Sequence, residues 1–130
     1  MDLRILGQKK LAALALCSAP GLVAAQALEI LDCRFESECF ETEACAATSY
    51  ELTLTLTPSG GRTMAVAQSV NETMSGGGFD LAQGGRSFLF QSQMGPVMLT
   101  LAADGSARQA VHGGGDAMMI NYAGMCEVRG

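Results

Sequence analysis

A chain of 130 residues is the length of one ordinary domain, and 48% apolar with 16% charged residues is a globular composition rather than a disordered one. Thirteen acids against eight lysines and arginines give a net charge of −5. That balance argues against nucleic acid or an anionic membrane surface as the partner, because both select basic patches.

The first element in chain order is a targeting segment. Arg4, Lys9 and Lys10 precede the apolar run Leu11–Cys17, Pro20-Gly21 breaks it, and the small residues Ala24-Ala25-Gln26-Ala27 follow. This is the order of a secretory signal peptide, so Met1–Ala27 is expected to be removed, with Ala25 as the alternative cleavage point. The apolar run is well short of the ~20 residues that a membrane span needs. Leu16 stands where a lipoprotein site at Cys17 would need a small residue. Cleavage would leave 28–130 as a single exported β-rich domain, periplasmic or secreted, with 12 acids, 5 arginines, no lysine and a net charge of −7.

Leu28–Phe35 reads as a strand. Glu36–Ala47 carries a weak helical stripe of Phe40, Ala44 and Ala47. Tyr50, Leu52, Leu54 and Leu56 alternate with polar residues over Ser49–Thr57, a strand with one buried face, and Pro58-Ser59-Gly60-Gly61 ends it. Met64, Val66 and Val70 continue in step on a return strand. Gly76-Gly77-Gly78 reads as a flexible loop and Phe79–Leu81 as a short edge strand, followed by a turn at Gly84-Gly85. Phe88 and Phe90 share a face over Arg86–Ser92, and Gln93–Pro96 turns the chain into the alternating Val97, Leu99 and Leu101. Asp104-Gly105 is a hairpin signal before Ala107–His112. Met118, Ile120, Tyr122, Gly124, Cys126 and Val128 share one face of a last strand, with Gly124 marking a bulge or a close backbone approach. The sum is an all-β fold, a small antiparallel meander or barrel of about 7–8 strands.

Cys33, Cys39, Cys45 and Cys126 are the disulfide candidates; four cysteines in a small exported chain imply two bridges. Of the three connectivities, Cys33–Cys126 tying the ends and Cys39–Cys45 closing a local loop is preferred. The spacing lacks the tight C-x2–4-C pairs of a zinc site.

Glu29, Asp32, Glu36, Glu38, Glu41, Glu43 and Glu51, offset only by Arg34, hold most of the negative charge. Glu36, Glu38, Glu41 and Glu43 are the candidate contacts for a cationic protein partner or a small ligand, against the plainer reading of a solvated loop. No calcium-loop pattern is present. The methionines Met64, Met74, Met94, Met98, Met118, Met119 and Met125 form no M-x-M or H-x-M cluster and read as core filler rather than a copper site. His112, the sole histidine, has no evident nucleophile or orienting acid, and the acidic run is too polar to raise the pKa of a catalytic carboxyl. Asn71-Glu72-Thr73 fits a glycosylation sequon, relevant only in a eukaryotic secretory pathway. No cofactor, catalytic residue or metal is therefore expected.

Cys33-Arg34-Phe35, Glu38-Cys39-Phe40-Glu41, Ala44-Cys45, the Asp104-Gly105 hairpin and the Tyr122-x-Gly124-x-Cys126 ending resemble small exported proteins of alphaproteobacteria, a likeness that brings no assigned activity. The strand count, the terminal Cys126 and the acidic balance are similar to periplasmic inhibitors of c-type lysozyme. Gly85-Arg86-Ser87-Phe88 faintly resembles their inhibitor loop, while the extra cysteines depart from their pattern. That likeness implies a disulfide-tied barrel and a cationic partner. The expectation is an exported, non-enzymatic domain that binds a protein or ligand through its acidic, cysteine-rich N-terminal segment. Its alternatives are a lysozyme inhibitor and a small hydrolase.

Overall fold

The computed structural model describes residues 28–130; the expected signal peptide, Met1–Ala27, lies outside the described residues. Eight antiparallel strands follow one another: β1 (Glu29–Phe40), β2 (Ala46–Ser59), β3 (Arg62–Gln68), β4 (Thr73–Asp80), β5 (Arg86–Gln91), β6 (Pro96–Leu101), β7 (Ser106–Gly113) and β8 (Met118–Val128). Each pairs with its neighbour in sequence and β8 pairs back onto β1, closing a barrel. Closure leaves no edge strand among the described residues; of the segment expected as an edge, Phe79 and Asp80 instead end β4 and pair with β5.

The interior is the hydrophobic core. Leu31, Cys33 and Phe35 of β1, Leu52, Leu54 and Leu56 of β2, Phe88 and Phe90 of β5, and Val97, Leu99 and Leu101 of β6 all point inward and are buried. An eight-stranded barrel is just narrow enough for side chains to fill it. Filling it with three phenylalanines needs small residues opposite, and β3 and β4 supply Ala65, Ala67, Gly76 and Gly78.

Four local expectations are corrected by the structure. Met64 and Val66 face outward, and Ala65 and Ala67 face inward. The hairpin at Gly60-Gly61, both with positive φ, sets the register Leu56↔Ala65 and Leu54↔Ala67. Paired residues share a face, so the turn overrides apolarity. Val70 lies beyond the strand, in the turn. The glycine run is not a loop but the middle of β4: a Cβ on Gly76 would strike the Leu89 carbonyl, and one on Gly78 the Phe88 ring. The helical stripe over Glu36–Ala47 is absent, because β1 runs on to Phe40 paired with β8, and β2 begins at Ala46. The methionine in the core is Met74, while Met64 is half exposed.

The two disulfides are those preferred from the sequence. Cys33–Cys126 joins directly opposed residues of β1 and β8 inside the barrel and so staples its closing seam. Cys39–Cys45 closes the β1–β2 turn. Such bridges form and persist in oxidising compartments.

A bulge in β1 between Phe35 and Ser37 has the largest consequence for the surface. An added residue reverses the alternation beyond it. Glu36 therefore stays outside, whereas Glu38 pairs with inward Tyr122 and turns into the barrel. Gly124 lies opposite the bulge; a Cβ there would overlap the Arg34 carbonyl oxygen.

Candidate functional site: the acidic mouth of the barrel

The two ends of the barrel differ in charge and in how they are sealed. One end carries the β2–β3, β4–β5 and β6–β7 turns and both ends of the described chain. Its charges are mixed: Arg62, Arg86 and Arg129 stand among Glu29, Asp80, Asp104, Glu127 and Asp32, the last of which pairs with Arg129. Across it, inward Arg86 of β5 meets inward Glu29 of β1 in a bidentate ion pair, Nη1–Oε2 2.8 Å and Nη2–Oε1 3.0 Å. The Arg86 hydrogen bond holds the Glu29 carboxyl below its ordinary range against the opposing effect of burial.

The other end, the mouth, carries the β1–β2, β3–β4, β5–β6 and β7–β8 turns. Between residues 38 and 46, 69 and 72, 92 and 95, and 113 and 118 stand Glu38, Glu41, Glu43, Glu72 and Asp116, with no arginine or lysine; His112 stands just before the last of these turns, on the outer face. None of these acids has an ion-pair partner among the described residues.

The mouth turns are stiff. Ser69 Oγ accepts from the amides of Asn71 and Glu72, both at 3.3 Å, and Ser92 Oγ accepts from those of Met94 and Gly95 at 3.1 and 3.3 Å. These hydroxyl caps fix the two turns in the same way. Glu72 Oε2 accepts from the Gln93 amide at 3.2 Å, and the Met94 carbonyl from the Gly114 amide at 2.8 Å. On the far side, Glu41 Oε1 accepts from the Met119 amide at 2.7 Å. The rim is thus linked from turn to turn, and it presents Val70, 97% exposed, and Met94 to solvent.

Inside the mouth the register sets one row of inward side chains: Leu99 of β6, Gln109 of β7, Tyr122 of β8 and Glu38 of β1. Phe35 and Tyr50 lie next to it. Phe35 stacks on Tyr50 at 5.4 Å between ring centroids, Tyr50 and Tyr122 meet tilted by 43° at 5.1 Å, and Phe35 meets Tyr122 edge-on at 6.0 Å. Burial, and then a hydrogen bond to the Glu38 carboxylate, push the Tyr122 phenol above its ordinary value. Burial raises that of Tyr50, and a hydrogen bond from the Gln109 side chain partly offsets it.

Outside, the charged β8–β1–β2 wall carries an open groove of about 720 Å³, lined by Asp32, Arg34, Glu36, Glu51, Thr53 and Glu127 among others. Two of its acids are already paired, Glu51 with Arg34 at 3.1 Å and Asp32 with Arg129 through Nε at 2.9 Å. The four predicted contact acids therefore divide: Glu36 belongs to this groove, Glu41 and Glu43 to the rim, and Glu38 to the interior of the mouth. Glu72, Asp116, Tyr50, Tyr122 and Gln109 were not singled out in sequence. Only strand register and turn placement unite them with the N-terminal acids.

Among the described residues, no three His, Cys, Asp or Glu side chains converge as a metal ion requires. No family model, curated protein or solved structure matches this chain.

Proposed function

We propose that this protein is an exported binding domain, periplasmic or secreted, which docks a cationic protein on the acidic mouth of its barrel. The observation that carries this reading is the charge difference between the ends: among the described residues, the mouth turns hold five acids without an ion-pair partner and no arginine or lysine, whereas three arginines partly offset the acids of the opposite end. A surface of one sign accelerates encounter with an oppositely charged partner and rejects like-charged ones. The linked turns lower the ordering cost of binding, and exposed Val70 and Met94 add apolar area beside the charge. A c-type lysozyme is the first partner to try. It is a cation, and a disulfide-tied β-barrel is what the resemblance to lysozyme inhibitors implies.

The test is calorimetric titration with a c-type lysozyme, beside an assay of its activity, at about 20 and 200 mM salt, a range over which screening changes strongly. Saturable binding that weakens at least about tenfold with salt, and again in the Glu43→Gln/Glu72→Gln/Asp116→Asn variant, is expected. Salt-independent binding, or binding that this variant leaves untouched, would reject the mouth as the docking surface. No binding would reject lysozyme as the partner.

A further inference from the structure

Carboxylates turn inward at both ends of the barrel, Glu29 and Asp80 at the closed end and Glu38 at the mouth. The closed end satisfies Glu29 with a guanidinium of the same chain, seated bidentate inside the barrel. The mouth has no such cation among the described residues. Instead it holds an unsatisfied acceptor: Gln109 is only 3% exposed, and its Oε1 has no hydrogen-bond partner among the described residues. A buried carbonyl oxygen left without a donor costs about 1–3 kcal/mol, so such a group calls for a donor from elsewhere.

We propose that the mouth receives a guanidinium or ammonium side chain of a protein partner, seated against Tyr50 and Tyr122, with Gln109 Oε1 and the Glu38 carboxylate as its acceptors. The inference rests on the docking reading above and names what the partner inserts. What the mouth has to spare is acceptor capacity and aromatic surface. Glu38 and Gln109 Oε1 offer lone pairs, and two half-buried tyrosine rings, reached from solvent, offer the faces that attract cations. A guanidinium brings five N–H donors and an ammonium three, with no acceptor to leave unpaired. The five acids of the mouth raise the local concentration of cations and disfavour anionic groups. A neutral donor would satisfy Gln109 but leave Glu38 without a counter-charge.

The chain contains two tyrosines and no tryptophan, so its tyrosine fluorescence reports on the mouth alone. N-acetyl-hexa-arginine amide, which has no aromatic residue, serves as the probe, and uncharged N-acetyl-hexa-citrulline amide as its control. Hexa-arginine is expected to change the emission saturably, and hexa-citrulline to leave it unchanged. Gln109→Leu replaces the orphan carbonyl with an apolar group between Ala107 and Val111 and should keep the fold, checked by circular dichroism. This variant should bind hexa-arginine about tenfold more weakly, as loss of a hydrogen bond to a charged group predicts, and Glu38→Gln likewise. Agmatine carries the same cation without a peptide and should need at least about tenfold more to give the same change, lacking contacts to the rim. Unchanged emission with hexa-arginine, undiminished binding by Gln109→Leu, or agmatine equal to the peptide would each overturn the proposal. Lysozyme binding that Glu43→Gln/Glu72→Gln/Asp116→Asn weakens and Gln109→Leu does not would leave the docking surface standing and sink the inserted side chain. A tyrosine response to hexa-arginine with no cationic protein bound would do the reverse.

Discussion

Gly124 and Tyr122, two residues apart on β8, show how single positions set the mouth. Gly124 lies where β1 bulges, and any Cβ there would overlap the Arg34 carbonyl and the Phe35 Cα. Gly124→Ala should therefore destabilise by about 1–3 kcal/mol, the usual cost of overpacking, read as a lower urea midpoint; an unchanged midpoint would contradict the close approach. Tyr122 is held neutral by burial and by Glu38, above the ordinary value of 10.0, and Tyr50 by burial. With folded values raised, the unfolded chain gives up its phenolic protons first. The associated stability is complete below about pH 10 and is lost as pH climbs through the raised values. Melting temperature should fall above about pH 10, and less steeply in Tyr122→Phe. Parallel curves for the two proteins would mean that Tyr122 is not the group responsible.

Strand β4 carries a division of labour among three consecutive glycines. Gly76 and Gly78 face inward against the Leu89 carbonyl and the Phe88 ring, while Gly77 faces solvent with its nearest neighbour, the Thr63 carbonyl oxygen, 3.6 Å from an added Cβ. Gly78→Ala should lower the melting temperature, because the ring cannot move without displacing the core. Gly77→Thr should raise it, by up to about 1 kcal/mol of stability, because a β-branched residue restricts the unfolded chain and suits a strand. Equal effects of the two substitutions would count against the alternation that this strand imposes. The β1–β2 turn is fixed in another way, by the Cys39–Cys45 bridge and the Glu41 link to β8. The weak helical stripe there loses to strand pairing on both sides.

For the whole molecule, closure is the governing fact, and Cys33–Cys126 bears on it most. That bridge spans 93 residues and Cys39–Cys45 only 6. On loop-entropy grounds the first stabilises by about 4.6 kcal/mol and the second by about 2.2 kcal/mol. Cys33 and Cys126 are buried, whereas Cys45 is exposed. Graded dithiothreitol with alkylation and mass analysis should therefore label Cys39 and Cys45 first, with the barrel still folded. Labelling of Cys33 and Cys126 should coincide with unfolding. Labelling of all four together would show that the β1–β2 turn opens only with the whole barrel.

The all-β class, the run of short antiparallel strands, the hairpin at Asp104-Gly105, the inward face of Leu52, Leu54 and Leu56, and both disulfide pairings were legible in the sequence. These depend on local alternation, turn chemistry and the spacing of cysteines, which a linear chain displays. The facing of Met64, the strand at Gly76–Gly78 and the inward turn of Glu38 were not legible. Each depends on what lies across the barrel: a hairpin register, a phenylalanine ring, a bulge set against β8. The acidic N-terminal segment was visible as charge, but its division among groove, rim and interior was not. Glu72, Asp116, Tyr122 and Gln109 join it only because closure brings the β3–β4, β5–β6 and β7–β8 turns to the same end as β1–β2. Sequence determines composition and period, which are properties of neighbours along the chain, and so it determined the kind of fold. Which charges share an end, and which carboxylate has a cation to meet it, are relations between residues distant in sequence, and only the closed barrel decided them.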